Sequence, residues 1–252
     1  MEATGAEPPS LEQELSTVGR EPTNAVQYIF EPMCPSVQIA GRTERFPLHR
    51  IYCVGWNYVS HVREMGSDPD REPPIFFMKP LDAITPSGSQ VVYPPATENL
   101  HYEIELVVAI GREGHAISQD QATEYIWGYG VGIDMTRRDL QAIAKQRGQP
   151  WDAAKSFDQS APISELQPAE HIGHPSSGRI WLEVNGEPRQ DGDIEQLIWG
   201  VPEIIEHLSA LFHLRAGDLI FTGTPAGVSP IERGDVLRGG VDGVATIEIE
   251  IV

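Results

Sequence analysis

The sequence predicts an α+β fold that is rich in β-strands and forms one domain. Short segments with strand-like alternation outnumber segments with helical periodicity. Strands and helices do not alternate regularly, as they would in a parallel α/β sheet. The 252 residues are enough to bury a substantial core. Together these observations favour a mixed, β-rich domain over 25–252, preceded by a loosely ordered polar arm over 1–24.

The first third of the domain combines extended segments with one short helix. Extended segments are predicted for VQYIF (26–30), SVQIA (36–40), RIYCVG (50–55) and IFFMKP (75–80). Helical character over 57–65 ends at Gly66, a suitable C′ residue. A charged, proline-rich loop follows. Because lids come from weakly packed segments flanked by Gly and Pro, we expect 57–74 to act as a lid.

The remainder of the chain continues this mixture. HYEIELVVAIG (101–111) and YGVGID (129–134) are predicted to be extended, and SQDQATEYIWG (118–128) and MTRRDLQAIAKQRG (135–148) are predicted to be helical. After a loop over 151–163, RIWLEVNGE is a strand that runs into an Asn-Gly turn. An amphipathic helix is predicted over 201–214. AGDLIFTGTPAGV and the closing 234–252 are predicted to be strands and turns.

Composition narrows the classes of partner. The net charge of −19 argues against nucleic acid or an anionic membrane as a partner. No apolar run approaches the roughly 18 residues that span a bilayer, and no secretory signal pattern is present. Cys34 and Cys53 form no metal or disulfide motif. We therefore expect a cytoplasmic protein that acts on a small molecule.

Two glutamates stand at the start of an otherwise apolar strand. Residues i and i+2 of a strand point to the same side, so Glu103 and Glu105 share one face, with Cα atoms roughly 6.5–7 Å apart. Two buried carboxylates repel each other, and either protonation of one or a bound cation relieves this. The alternative is an edge strand with solvated glutamates. The apolar residues that follow favour a central strand.

A third carboxylate supports the cation. Asp134 follows the apolar, glycine-containing YGVGI, whose glycines allow close approach of the backbone. Its alternative role is to cap the helix over 135–148. With Glu103 and Glu105 it would form an oxygen-rich site suited to Mg²⁺, Mn²⁺ or Ca²⁺. No His/Cys cluster competes for zinc, so Mg²⁺ or Mn²⁺ is favoured.

Other side chains offer acid–base chemistry or anion binding. His61 and Glu64 are spaced i, i+3 on one helical face, which fits either a general-base dyad or a surface pair. Lys79 and Lys155 have apolar neighbours, and each either extends to solvent or faces an anion. The turn around Thr224 is either an ordinary turn or a set of backbone N–H groups that captures a carboxylate.

From about residue 47 to the end, the sequence resembles the fumarylacetoacetate hydrolase family. Seven blocks in order carry the resemblance: VGWNYVSHVREM, PIFFMKP, HYEIELVVAIG, GYGVGIDMTRRDLQ, WDAAKSFDQSAPIS, LEVNGE and GDLIFTGTPAGV. The sequence is most similar to the short, single-domain branch that contains the acylpyruvases and the fumarylpyruvate hydrolases. Within this branch, REMGSDPDREPPIFFMKP and QLIWGVPEII resemble the fumarylpyruvate hydrolases.

The resemblance implies a mixed β-sandwich roll, a homodimer and a Mg²⁺ or Mn²⁺ site. It matches the metal ligands to Glu103, Glu105 and Asp134. It matches His61 and Glu64 to a dyad that activates water, and Lys155 to an active-site lysine. The substrate-binding positions are Lys79, Gln141 and Thr224. Trp56 departs from the family pattern, because relatives commonly carry Arg, Lys or Leu there. A large aromatic ring thus replaces a cation or a smaller side chain at the distal contact with the substrate.

The resemblance also implies a reaction. We expect hydrolytic C–C cleavage of a 2,4-dioxo acid, 3-fumarylpyruvate above all, to fumarate and pyruvate. Acylpyruvate hydrolysis, oxaloacetate decarboxylation, keto–enol isomerisation and maleylpyruvate hydrolysis are alternatives that would use the same metal site. A non-catalytic protein that binds metal or carboxylate is the alternative from another class. It would not need a general base such as His61.

Overall fold

A computed structural model describes residue 26, residues 28–64 and residues 73–252. The predicted arm over 1–24, the predicted C′ residue Gly66 and much of the predicted lid lie outside these residues. The chain divides into two units, 1–33 and 34–252. In the first unit, the described residues form neither helix nor strand. The described residues of the extended segment predicted at 26–30 belong to no strand.

The second unit is rich in strands, which confirms the predicted α+β, β-rich class. Its strands are β1 (Ser36–Gln38), β2 (Arg45–Pro47), β3 (Arg50–Gly55), β4 (Ile75–Lys79), β5 (Ile84–Pro86), β6 (Gln90–Val91), β7 (Leu100–His101), β8 (Ile104–Ile110), β9 (Ile126–Ile133), β10 (Thr136–Arg137), β11 (Ala161–Ile163), β12 (Gln167–Pro168), β13 (Arg179–Val184), β14 (Glu187–Asp193), β15 (Asp218–Phe221), β16 (Pro230–Ile231), β17 (Val236–Val241) and β18 (Ala245–Ile251).

The helices are short and connect the strands. They are α1 (Val59–Glu64), α2 (Arg138–Arg147), α3 (Asp152–Lys155), α4 (Ala169–Ile172) and α5 (Val201–Leu211), with 3₁₀ turns at Leu81–Ala83, Gln119–Tyr125 and Ile194–Gln196. Within the described ranges, none of these helices is long and apolar enough to cross a bilayer.

Two packed sheets form the body of the unit. The larger sheet has the order β4-β3-β15-β8-β9-β11-β5, with β12 paired to β9, and the smaller sheet has the order β14-β13-β17-β18-β6. Parallel pairs, such as β15 with β3, occur beside antiparallel pairs, such as β8 with β9. Strands of the smaller sheet pack on β8 and β9. The arrangement is a mixed β-sandwich, as the family resemblance implied.

Strand β8 lies at the centre of the larger sheet and faces a hydrophobic core on each side. Leu106 and Val108 belong to the core between the two sheets. Val107 and Ala109 belong to a second core on the opposite face. Period-two alternation produces this division. The edge-strand interpretation of this segment is therefore wrong, because β15 and β9 pair with both sides of β8.

Two predicted helices are shorter in the structure than the sequence pattern suggested: the first ends earlier, and the second begins later. In the segment 118–128, Gln119–Tyr125 forms a 3₁₀ turn and β9 begins at Ile126, because pairing with β8 places the last residues in the sheet. In the segment 135–148, Thr136 and Arg137 pair with β7, so α2 begins only at Arg138. Arg137 rather than Asp134 holds the N-cap position, and the capping role considered for Asp134 is wrong.

Gly132 in β9 allows the close packing that the sequence suggested for YGVGID. A methyl group at this position would overlap the ring of Phe221 and lie 2.9 Å from Cγ2 of Val107. Both neighbours are fully buried and belong to the second core. The core beneath the end of β9 thus depends on the absence of a side chain there.

Replacing Gly132 with alanine should lower the free energy of unfolding by about 1–3 kcal/mol, the usual range for overpacking a core. Urea unfolding followed by circular dichroism measures the change. Gly55→Ala is the matched control in the same sheet, since its added methyl would have its nearest neighbour at 3.4 Å, an ordinary contact. Equal unfolding midpoints for the two variants would contradict the packing argument.

Candidate metal centre and substrate pocket

Three carboxylates lie together at one end of the larger sheet. Glu103 directly precedes β8, Glu105 lies in β8, and Asp134 directly follows β9. The N–H of Asp134 donates to the carbonyl of Glu103 (N···O 2.8 Å), which holds the two strand ends together. One oxygen of each carboxylate lies within 4.8 Å of the others, and all three residues are buried. The donor set is chemically suited to Mg²⁺ or Mn²⁺.

Three cationic side chains surround these carboxylates. Nζ of Lys155 lies 2.8 Å from Oε2 of Glu103 and 2.6 Å from Oδ2 of Asp134. Nζ of Lys79 lies 2.8 Å from Oδ1 of Asp134. Nη2 of Arg138 donates to Oε1 of Glu103 at 2.6 Å. Both lysines are buried, so they face anions, and the alternative of lysines extending to solvent is wrong.

The cations are distributed unevenly over the carboxylates. Burial opposes ionisation of Glu103, but the charges of Lys155 and Arg138 keep the pKa of its carboxyl below the ordinary value. Burial, with repulsion from Asp134 and Glu103, raises the pKa of Glu105 well above the ordinary value. Glu105 accepts a hydrogen bond from the N–H of Gly223 at 2.8 Å. Glu105 is therefore the carboxylate that most needs another cation.

Asp134 gives a second indication that a cation fits here. Its Oδ1 is buried and, among the described residues, accepts no hydrogen bond; its neighbour is the ammonium of Lys79, at 2.8 Å. A carboxylate oxygen has more than one lone pair, so Oδ1 can bind a divalent ion beside this ammonium. Lys155 already neutralises part of the cluster. Burial lowers the pKa of its ammonium, but the negative charges of Asp134 and Glu103 outweigh burial and raise that pKa above the ordinary value.

The predicted His61–Glu64 pair exists, and His61 lines the same pocket as the carboxylates. Nδ1 of His61 lies 3.3 Å from Oε2 of Glu64, and the imidazole is buried. Glu64 also accepts the N–H of Gly227 at 3.1 Å. Burial opposes ionisation of Glu64, but these hydrogen bonds hold the pKa of its carboxyl below the ordinary value. A negative Glu64 orients a proton on Nδ1 and leaves Nε2 of His61 as the basic nitrogen. The surface-pair alternative is therefore wrong for His61.

A buried asparagine joins the segment before α1 to two neighbouring loops. The side-chain amide of Asn57 donates to the carbonyls of Thr222 (2.8 Å) and Trp199 (3.0 Å), and its oxygen accepts the N–H of Trp199 (2.7 Å). Gly223 packs directly against Asn57: its φ is +99°, and a Cβ there would lie 2.7 Å from Cβ of Asn57. Only glycine fits this turn.

One backbone N–H of the turn around Thr224 already has a partner within the protein. The N–H of Gly223 donates to Glu105, so it is not free for a substrate carboxylate. Oγ1 of Thr224 accepts a hydrogen bond from Gln190 at 2.8 Å. Thr224 nevertheless lines the pocket, as predicted for a substrate-binding residue.

The remaining predicted residues also meet in this pocket. Gln141 accepts a hydrogen bond from Nη1 of Arg138 at 2.6 Å, and Trp56 lies at the side of the pocket. Lys79 contacts the cluster through Asp134. Sequence reasoning missed Arg138, although it lies three residues before Gln141 and thus on the same helical face. It also missed the aromatic side chains of Phe77 and Trp151, which are among the lining residues.

Comparison with known proteins identifies the fold family. Residues 50–252 match the family model described as fumarylacetoacetate (FAA) hydrolase C-terminal. A fumarylpyruvate hydrolase from Ralstonia sp is 46% identical over 189 residues, which cover 74% of this chain and 98% of that protein. The mitochondrial oxaloacetate tautomerase FAHD1 of Mus musculus is 45% identical over 201 residues, which cover 80% of this chain and 90% of that protein.

A solved structure agrees with these relatives. The fumarylpyruvate hydrolase from Pseudomonas aeruginosa, in complex with Mn²⁺ and pyruvate, is 52% identical and superposes with a TM-score of 0.88, covering 90% of this chain and 99% of that chain.

Mn²⁺ should stabilise the protein through the carboxylate cluster. We expect the ion, at a hundred times its Kd, to raise the free energy of unfolding by about 2.7 kcal/mol, visible as a higher Tm. Glu105→Gln should abolish this rise, because it removes a ligand. Glu165→Gln changes an exposed carboxylate and should leave the rise intact. An undiminished rise in Glu105→Gln would rule out this position as a ligand.

Ion binding should also depend on pH. Burial and the neighbouring carboxylates raise the pKa of Glu105, and a metal ligand must be ionised, so binding should release a proton from Glu105. Mn²⁺ affinity should therefore fall as the pH is lowered. Calorimetric titrations in two buffers with different ionisation enthalpies measure the protons released. Identical observed enthalpies in both buffers would contradict the assignment.

Proposed function

This chain belongs to the fumarylacetoacetate hydrolase family, and on that basis we propose that it is a metal-dependent hydrolase that cleaves a C–C bond of a 2,4-dioxo acid. The proposed substrate is 3-fumarylpyruvate, and the products are fumarate and pyruvate. One observation carries the proposal: the carboxylates of Glu103, Glu105 and Asp134 line a single pocket together with the imidazole of His61, which Glu64 contacts from behind at Nδ1. A protein that only binds metal or carboxylate would not need an oriented imidazole there.

The charges of the pocket support a substrate with two negative charges. Three carboxylates face three cationic groups, those of Lys79, Lys155 and Arg138. A divalent cation would then leave two positive charges in excess once Glu105 is ionised. This excess matches a dicarboxylate. Without such local compensation, the net charge of −19 would disfavour an anionic substrate.

Glu103, Glu105 and Asp134 would hold Mg²⁺ or Mn²⁺. When bound, the ion supplies a Lewis acid and a template for the carboxylate and adjacent keto oxygen of the dioxo acid. Arg138 and Gln141, hydrogen-bonded to each other at the edge of the cluster, are placed to orient the same end of the substrate.

His61 acts as the general base. Glu64 holds Nδ1–H, and Nε2 takes a proton from water as the water oxygen attacks the C4 carbonyl. Lys155, with Lys79 behind it, stabilises the oxyanion that forms on C4. The C3–C4 bond then breaks, its electron pair stays with the pyruvyl fragment, and the imidazolium of His61 returns its proton to C3. The new carboxyl group of fumarate keeps the oxygen of the attacking water and releases the second proton of that water to solvent, so one water is consumed and one proton is released.

The names of two similar proteins determine which substrates should be compared. One similar protein is named an oxaloacetate tautomerase and another a fumarylpyruvate hydrolase. The purified protein with Mn²⁺ or Mg²⁺ is assayed against fumarylpyruvate, maleylpyruvate, acetylpyruvate and oxaloacetate. We expect equal amounts of fumarate and pyruvate and the highest kcat/KM with fumarylpyruvate. A higher kcat/KM for oxaloacetate, or no cleavage of any dioxo acid, would contradict the proposal.

His61→Ala should lower kcat by roughly 10²–10⁴-fold, the usual range for a positioned general base. The Mn²⁺-dependent rise in Tm should persist, because His61 is not a proposed ligand. His115→Ala is the control, since His115 is exposed and contacts His213 rather than the pocket. Full turnover in His61→Ala would show that another group is the base.

Two further features belong to this proposal. The family resemblance predicts a homodimer, which light scattering during gel filtration measures directly. The composition predicts a cytoplasmic location. Neither is needed for the chemistry of the pocket.

A further inference from the structure

Aromatic rings form one side of the pocket beside the carboxylate cluster. The ring centroids of Trp56 and Trp151 are 6.0 Å apart, and those of Phe77 and Trp151 are 5.8 Å apart. All three side chains are half-buried and line the pocket. The rings are tilted against one another, by 58° and 59°, so the pocket has an apolar, angled side, although the cluster itself is strongly polar.

The backbone of Trp56 is held in an unusual conformation. Its φ is +58°, in the left-handed region that a bulky side chain rarely adopts. The next residue, Asn57, is fixed by three hydrogen bonds to the neighbouring loops. Such strain persists only where the surroundings enforce it, and it is concentrated at functional sites. The position of the Trp56 ring is thus imposed on the chain.

A lysine lies over this ring. Nζ of Lys145 is 4.7 Å from the ring centroid of Trp56. No carboxylate of the described residues lies within ion-pair distance of it, although the whole chain carries a net charge of −19. Burial and, after it, the charge of Arg138 lower the pKa of Lys145. Lys145 is therefore half-buried over a ring that lines the pocket, and its ammonium has no anionic partner among those residues.

Lys145 belongs to a row of donors along α2. Arg138, Gln141 and Lys145 are spaced i, i+3 and i+7, so they lie on one helical face. At 1.5 Å per residue, the row extends about 10 Å. Arg138 marks its inner end, at Glu103, and Lys145 marks its outer end, at Trp56.

We propose that Trp56, Trp151 and Lys145 form a distal subsite for a planar, trans-unsaturated acyl chain that ends in a carboxylate. The rings pack against the conjugated chain, and the ammonium of Lys145 binds the terminal carboxylate. The proposal rests on the proposed function, because the dioxo end of the same substrate occupies the carboxylate cluster. It identifies the acyl group that the reaction takes.

The chemistry of the subsite selects among acyl groups. A chain that ends in methyl leaves Lys145 without an anion. A cis double bond turns the terminal carboxylate away from the direction of the α2 row. Only a trans chain with a terminal carboxylate uses both the rings and the ammonium.

Lys145→Met tests the subsite in the Mn²⁺-loaded protein. We expect the ratio of kcat/KM for fumarylpyruvate to that for acetylpyruvate to fall about tenfold, the size of one hydrogen bond to a charged group, mainly through KM. Lys145→Arg should restore most of the ratio. Arg147→Met removes one positive charge from an exposed position of the same helix and should leave the ratio unchanged.

A binding measurement separates the subsite from the reaction. Fumarate and crotonate share a trans chain but differ in the second carboxylate. Calorimetric titration of the Mn²⁺-loaded protein should show weaker fumarate binding in Lys145→Met than in the wild type, with a much smaller change for crotonate.

The outcomes distinguish the two proposals. An unchanged substrate ratio, or equal weakening of fumarate and crotonate, overturns the subsite even if the wild type cleaves fumarylpyruvate. If the wild type cleaves neither dioxo acid, the proposed function fails, and the fumarate and crotonate titrations still decide whether Lys145 binds a terminal carboxylate.

Discussion

The structure depends on three carboxylates that are buried side by side and must be neutralised. Removing three negative charges from water costs far more than a folded domain can spare, unless cations accompany them. Lys155 bridges Glu103 and Asp134, and Arg138 holds the outer oxygen of Glu103. Among the described residues, Glu105 has one hydrogen-bond donor, the backbone N–H of Gly223, and burial and repulsion raise the pKa of its carboxyl. The unequal compensation makes a divalent cation the natural completion of the site.

The sheet explains how acids can occupy the end of an apolar strand. One face of β8 packs into the core between the sheets. On the other face, Val107 and Ala109 pack into the second core, and Glu105, at the beginning of the strand, lines the pocket. Gly132 on the neighbouring strand lets Phe221 close that second core. The same strand thus anchors the fold at one end and holds carboxylates at the other. Rigid strands are suitable supports for such a site, because they fix the separation of the ligand atoms.

Much of the site was predictable from sequence, because local patterns describe it. Alternation placed Glu103 and Glu105 on one face, and helical spacing paired His61 with Glu64. Lys145 and Arg138 share a helical face with Gln141, but the sequence alone does not show which face of α2 lies towards the pocket. The pairing of Thr136 with β7, which delays the start of α2 to Arg138, is likewise a tertiary contact. The side chains that a helix turns towards a pocket depend on its packing. The strained backbone of Trp56 likewise follows from the anchoring of Asn57, which involves residues far away in the sequence.

The central claim is that the buried carboxylates hold a divalent ion. Anomalous diffraction from crystals grown with Mn²⁺ tests it most directly. The account predicts one strong anomalous peak per chain, within about 2–2.5 Å of a carboxylate oxygen of each of Glu103, Glu105 and Asp134. A peak elsewhere, or no peak at this cluster in crystals that contain Mn²⁺, would contradict it.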